Sequence, residues 1–431
     1  MLFAYYAWQD PIGVSKAIMS QSRRPFDDLP ARACDGGLDL LAGVTVLDLT
    51  TSIAGPYATM LLGDLGARVI KLERPGQGDD ARAWGPPFLD AESLWFLAVN
   101  RNKESLTLDQ RQAEGRRIFE ALLAKADVLV TNQPPAVQRK LDLDYDSLKA
   151  LKPDLVFTSL TGFGLKGRRA EQACYDLIAE GYSGVMDLTG APDRPPQKVG
   201  APAADLLAGQ DAALATLAAL FARQRDGKGR LVDVALVESM TRFMACRILP
   251  YLGSGEVPAR SGGTDSVIAV YQTFDTADEP ITLGLGSDAI WKRFWASVGR
   301  PERGLNPAEG SNAKRRAKRA DLVAEIQQVL LARGRADWLQ AFADARVPAG
   351  PINRVDEVAA DPDLIERGLF YRLESEAGSL PQVGLGIQFD GAAVGPRLPP
   401  PRLGQHKALL LREFLGYDEA KTATLAAAGT I

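Results

Sequence analysis

The first half of the chain alternates short apolar runs with longer stretches in which apolar positions recur every three or four residues. Val44-Thr45-Val46-Leu47-Asp48-Leu49 reads as a buried strand, and so does Ala67-Arg68-Val69-Ile70-Lys71-Leu72. Asp127-Val128-Leu129-Val130-Thr131 and Asp154-Leu155-Val156-Phe157-Thr158 repeat the pattern. Between the first two runs, Ala54-Gly55-Pro56 opens a helix through Leu62 that closes near Gly66, and a second helix is expected at about 112–125. Strands alternating with helices of this length predict an α/β fold, a doubly wound and mostly parallel sheet.

After Pro202 the periodicity predicts a helix to about Arg225, with Leu207, Leu214, Leu217 and Phe221 on one face. Gly227-Lys228-Gly229 stops it, Leu231-Val232-Asp233-Val234 reads as a strand, and an amphipathic helix follows to about Tyr251. From Pro258 the texture changes. Arg260-Ser261-Gly262-Gly263-Thr264 is loop-like, and residues 269–274 with 281–285 suggest a small sheet ahead of two helices rich in charge and Trp. From Leu380 the chain is Pro-rich and extended before a short last helix. Residues 1 to about 40 lack either periodicity and read as an arm packed on the body.

Composition narrows the class without naming a chemistry. With 46% apolar and 24% charged residues, the chain has the profile of a soluble globular protein. A net charge of -4 gives no reason to expect a nucleic acid or an anionic membrane as partner. No apolar run is read as a transmembrane segment. Met1-Leu2-Phe3-Ala4-Tyr5-Tyr6-Ala7-Trp8 lacks a basic leader, so a signal peptide is not expected. Three scattered cysteines (Cys34, Cys174, Cys246) suit a reducing cytoplasm and offer neither a disulfide framework nor a zinc site.

The missing motifs are informative. The first βα turn lacks G-x-G-x-x-G, which disfavours a dinucleotide, and there is no Walker loop. The one histidine, His406, reads as structural, and its solitude excludes most Ser-His-Asp and Cys-His designs. Asp205, at the start of the long 203–225 helix, is then the leading candidate for chemistry. A carboxylate beside a helix N-terminus is expected to be ionised at neutral pH and able to act as nucleophile or base. The plainer alternative is an acid that only complements the helix dipole. Lys71, Arg74, Arg82, Arg101, Lys103, Arg111 and Arg139 fall near the ends of the early strands, where an anionic ligand would bind; a solvated charged surface is the alternative.

From Leu41 to Ile431 the sequence resembles the class III CoA-transferases. The resemblance rests on Val46-Leu47-Asp48-Leu49-Thr50 with Ala54-Gly55-Pro56, Gly63-Asp64-Leu65-Gly66-Ala67-Arg68-Val69-Ile70-Lys71-Leu72-Glu73-Arg74-Pro75-Gly76, and Asn100-Arg101-Asn102-Lys103. Ala201-Pro202 with Asp205, Pro348-Ala349-Gly350-Pro351 and Leu403-Gly404-Gln405-His406 continue it. It implies a nucleophilic Asp205 that forms an acyl anhydride and then an aspartyl-CoA thioester. Oxyanions would be met by backbone N–H groups near Ser52, Ile53 and Ala54. The Tyr175-Asp176 pair and the Gly262-Gly263 loop would line the site, and Ile53 stands where formyl-CoA transferases have Gln. The loop is shorter than in those enzymes, so a larger acyl group or a dicarboxylate such as succinate fits better than oxalate. Coenzyme A itself would be a substrate, with no tightly bound cofactor, held by Lys71, Arg74, Lys103, Leu108, Arg111, Asn132 and Arg139.

The resemblance also implies an interlocked homodimer. Its units would be an extension at 1–40, a large Rossmann-like CoA-binding domain at 41–236, a linker at 237–258, a small α+β domain at 259–356 and a return at 357–431. A 2-methylacyl-CoA racemase is the nearest alternative activity, but it needs a His–Asp step where this chain has Tyr175-Asp176. Tyrosine, with an ordinary pKa of about 10, is a weak base for an α-proton. A CoA-binding protein without activity is the second alternative.

Overall fold

The computed structural model describes residues 23–34, 36–265, 267–375 and 378–431. The Met1–Trp8 stretch and much of the expected N-terminal arm lie outside them. The described part of that arm does pack on the body: Ala31–Arg32 pairs in parallel with a strand at Phe370–Ser375, and the Arg32 guanidinium sits 5.0 Å from the Tyr371 ring centre.

Six parallel strands form the central sheet: β1 (Thr45–Leu49), β2 (Arg68–Glu73), β3 (Lys103–Thr107), β4 (Val128–Thr131), β5 (Val156–Thr161) and β6 (Arg230–Ala235). Their order is β3-β2-β1-β4-β5-β6. Around them pack α1 (Ala54–Asp64), α2 (Ala113–Leu123), α3 (Asp176–Ser183), α4 (Ala203–Asp226), α5 (Leu236–Phe243) and α6 (Ala245–Ser254).

The strands read as unbroken apolar runs because both faces are covered, so consecutive residues enter different cores. Val46, Val69, Val128 and Val156 pack with Ala54, Ala58, Ala204, Ala208 and Ala212 on one side. Leu47, Ile70, Leu129 and Phe157 pack on the other with Ile118, Phe119, Leu410, Leu411 and Leu425. A third core, built on Trp291, Phe294, Trp295, Trp338 and Phe342, lies over the antiparallel strands β7 (Tyr271–Phe274), β8 (Ile281–Gly284) and β9 (Ala349–Pro351).

Four features differ from the sequence reading. Strand β3, Lys-Glu-Ser-Leu-Thr, was not expected, because its Lys103 and Ser105 are polar side chains buried in an interior network. The single amphipathic helix expected to about Tyr251 is two, α5 and α6, which break at Met244. The buried face of α4 is its small one, Ala204, Ala208, Gly209, Ala212, Ala213, Thr216 and Ala219, while Leu214 and Phe221 are each 64% exposed. Small residues face α1 because the two helices approach closely. Finally, α4 is long and apolar enough, at a mean hydropathy of 1.3, to cross a membrane by length and composition. Its small-residue face, however, is packed against the sheet and α1.

The chain ends on two helices, α7 (Lys407–Leu415) and α8 (Glu419–Ala427), that complete the second core. His406, one residue before α7, accepts the Ser105 N–H through Nδ1 at 3.1 Å, and burial lowers its pKa. It is structural, as its solitude suggested.

Candidate active site

Strand order reverses beside β1, whose neighbours continue to β2 on one side and β4 on the other. Loops there diverge and leave a crevice at the carboxyl ends of the strands. A cleft of about 670 Å³ occupies it, lined by Thr50 and Thr51 after β1, by Arg74 to Asp80 after β2, and by Leu108 to Arg111 after β3.

Of the seven expected ligand-binding positions, Arg74, Leu108 and Arg111 line this cleft. Arg74 is paired with Asp80, and Arg111 with Asp109 at 2.8 Å. Arg139 is exposed and paired with Glu171 at 2.5 Å, outside the cleft lining. Arg82 and Arg101, the other cations at strand ends, are bound to Glu73 at 2.8 Å and to Asp64 at 2.6 Å.

Lys71 and Lys103 are corrections, because both are wholly buried and cannot reach a ligand in the crevice. Lys71 Nζ lies 2.8 Å from Asp79 and donates to the Thr50 carbonyl at 2.8 Å. Lys103 Nζ donates to Asp48 at 3.0 Å and to the Pro56 and Asn100 oxygens at 2.8 Å. Burial alone would push the Asp48 carboxyl up, but the Lys103 and Lys71 charges outweigh it and hold the acid ionised. Asn132, whose neighbours Thr51 and Gln133 line the cleft, has its amide engaged with backbone: it takes the Thr51 N–H at 3.0 Å and gives its own N–H to the Thr51 carbonyl at 2.7 Å.

These groups fix the loop between β1 and α1. Asp48 accepts the Thr50 N–H at 2.9 Å, and Asp79 accepts the Ser52 N–H at 2.8 Å. Ser52 has φ of +69°, a left-handed conformation that costs a non-glycine residue on the order of 1 kcal/mol and persists where surroundings over-determine it. Of the expected oxyanion donors, Ser52 is thus already engaged. The Ile53 and Ala54 N–H groups, at the first turn of α1, have no hydrogen bond among the described residues. An anion at a helix N-terminus would meet them.

Asp205 sits in the first turn of α4, half-buried, with no ionic or hydrogen-bond partner for its carboxyl among the described residues. The N-cap is Pro202, which offers no side-chain acceptor. Asp176, first residue of α3, supplies one: its Oδ1 takes the Ala204 N–H at 2.8 Å and the Asp205 N–H at 3.3 Å. The helix dipole therefore serves Asp176. Burial, and then the Asp176 charge, push the Asp205 carboxyl up to about 7. The expectation of a fully ionised acid at neutral pH is corrected accordingly.

One turn along α4 from Asp205, Gly209 packs so tightly that a Cβ there would lie 2.7 Å from the Ala54 carbonyl oxygen. Positions four apart share a helix face, so Asp205 is carried on the face of α4 that packs against the start of α1. Cys174 lies nearby. Burial and the Asp205 charge raise its thiol to about 11, so it stays protonated.

The other expected lining residues are less engaged. Tyr175 caps α3 and is 73% exposed. Gly262 (φ +63°) hydrogen-bonds to the Gly190 carbonyl, and its nearest neighbours are Ala191 and Pro192. Sequence reading missed Asp48, Asp79 and Glu180 as groups that shape the site. Nothing in a single sequence announces a loop acid as a cap for a backbone 27 residues away.

Comparison with known proteins places this geometry. Residues 41–407 match CoA-transferase family III. The chain is 36% identical over 403 residues to a succinyl-CoA:glutarate CoA-transferase of Mus musculus, covering 93% of this chain and 92% of the relative. It is 37% identical over 389 residues to a succinate–glutarate CoA-transferase of Agrobacterium fabrum, covering 89% and 97%. Among solved structures, a CAIB/BAIF family protein from Brucella suis superposes with a TM-score of 0.76 at 39% identity, over 87% of this chain and 99% of that one.

Proposed function

The chain belongs to CoA-transferase family III and is a CoA-transferase, and from that premise we propose that Asp205 is the nucleophile that carries CoA between two carboxylic acids. The observation that carries this reading is an unpaired, half-buried carboxyl, pushed up to about 7, in the first turn of α4 on the face that packs against the start of α1.

In the reaction we infer, the ionised Asp205 attacks the donor thioester, the C–S bond breaks, and an aspartyl–acyl anhydride and CoA thiolate form. The thiolate attacks the aspartyl carbonyl, expelling the donor acid and leaving an aspartyl-CoA thioester. The acceptor carboxylate attacks that carbonyl and expels CoA thiolate, giving a second anhydride. The thiolate then takes the new acyl group, and Asp205 is restored. Each tetrahedral oxyanion would be met by the Ile53 and Ala54 N–H groups, and donors of this kind are worth about 10²–10³ in rate. Among the described residues no histidine lies in the site, and none is needed, since every step is attack by an anion.

The cleft at Arg74, Leu108 and Arg111 suits the nucleotide end of CoA, with each arginine exchanging its carboxylate for a phosphate oxygen. By likeness to the relatives, succinyl-CoA is proposed as donor and a dicarboxylate such as glutarate as acceptor. The exposed Leu214, Phe221, Leu249 and Leu252 on α4 and α6 support a homodimer in which a second copy covers them.

The test is incubation with succinyl-CoA followed by borohydride or hydroxylamine trapping and peptide mapping. An adduct at Asp205, absent from Asp205→Asn, is expected, with transfer to glutarate by ping-pong kinetics. Deuterium uptake at the α-carbon of an acyl-CoA without transfer to free acids would refute it in favour of an isomerase.

A further inference from the structure

Glu180 is a fully buried acid near the site that the reaction above does not use. Its side chain is wholly inaccessible, one helical turn beyond Asp176 on the same face of α3. Its Oε2 accepts the Val199 N–H at 2.9 Å, whereas Oε1 is buried without a donor. Asp176 holds the Ala204 and Asp205 N–H groups. The two acids thus grip the two ends of the segment from Val199 to Asp205, which delivers the nucleophile to its place.

We propose that Glu180 is a positioning residue for Asp205, acting with Asp176 as a two-point clamp on the entrance to α4. This rests on Asp205 as the nucleophile. The Asp176 carboxyl is a neighbour of Glu180 and acts on it electrostatically. Burial and the Asp176 charge raise the Glu180 pKa in the same sense, and the Val199 N–H and Lys198 oppose them. What the clamp takes from Glu180 is an acceptor for the Val199 N–H, which an amide oxygen can also supply. The titratable groups around this clamp are Asp176 on the same helix, Lys198 beside Val199, and Asp205 and Cys174 across from it.

Steady-state turnover of succinyl-CoA and glutarate by the parent, Glu180→Leu, Glu180→Gln and Asp205→Asn tests the assignment. Loss of the clamp in Glu180→Leu is expected to lower kcat at least about tenfold with both KM values within about threefold, because a displaced nucleophile loses reaction geometry before it loses binding. Gln, which keeps an acceptor for the Val199 N–H, is expected to restore most of kcat. Parental kcat in Glu180→Leu would overturn the proposal, as would a loss confined to KM. A Gln variant as impaired as the Leu variant would overturn it too. If Glu180→Leu does not fold, Glu180→Ala and the isosteric Gln variant decide by the same split of kcat from KM. An active Asp205→Asn would instead remove the nucleophile reading, and the clamp with it.

Discussion

Replacing Gly209 with alanine sets two effects of known size against each other. In an unconstrained helix interior the change stabilises by about 0.8–1 kcal/mol, because alanine is the better helix former. Here the new Cβ would stand 2.7 Å from the Ala54 carbonyl oxygen and 3.0 Å from a Tyr57 ring carbon. Ordinary contact begins some 0.7 Å further out, and a backbone oxygen cannot swing aside as a side chain would. Relief therefore requires α4 to move off α1, and overpacking of this kind costs about 1–3 kcal/mol. Overpacking wins, so urea unfolding is expected to show a net loss of roughly 0–2 kcal/mol. The larger effect is on rate. Asp205 rides on the same face one turn away, and a displacement approaching 1 Å at the reacting centre can lower kcat by about 10²-fold. The assays are equilibrium urea unfolding and kcat at saturating substrates. A Gly209→Ala protein as stable as the parent, with undiminished kcat, would refute the close approach and the placement of Asp205 that depends on it.

Other consequences are open to measurement. Since Asp205 must be ionised to attack and titrates near 7, kcat is expected to rise with pH through about 7; an acid limb near 4 would contradict the burial argument. The raised pKa also means that the protonated acid favours the fold, a contribution complete below about 4 and lost as pH rises through 7. Asp205→Asn is therefore expected to be stabilised relative to the parent at pH 8 and progressively less so towards pH 4, as read from urea midpoints. Lys71→Met leaves Asp79 and Asp48 short of a buried cation, and a loss of about 3–5 kcal/mol is expected from denaturant unfolding. Asp80→Asn frees Arg74 for phosphate, so calorimetry is expected to show CoA binding a few-fold tighter at low salt, converging with the parent as salt rises.

What could be read from the sequence follows from which forces act locally. Strands β1, β2, β4 and β5 announced themselves because both faces are buried, and an unbroken run such as Val46-Leu47 or Val128-Leu129 has few other uses. Strand β3 did not, since Lys103 and Ser105 are interior for reasons that involve Asp48, Glu73 and His406, all distant in sequence. The start of α4 and its acid were legible from Pro202 and Asp205. Its buried face was not, because apolar size misleads where a neighbouring helix demands alanine and glycine. Cations near strand ends likewise divided in ways only the tertiary structure decides. Arg74 and Arg111 face the cleft, whereas Lys71 and Lys103 hold up the loop beneath it.

The bond from the Ser105 N–H to His406 spans 301 residues, and Leu410, Leu411 and Leu425 close the core over one face of the sheet. At a synthesis rate of about 5–20 residues per second, that interval is roughly 15–60 s on the ribosome. For all of that time Leu47 and Ile70 wait for α7 and α8, with only α2 made early enough to cover part of their face. The nascent chain thus carries a sticky apolar surface through most of its own translation, which makes it a client for chaperones and makes its yield sensitive to the speed at which its last helices are made.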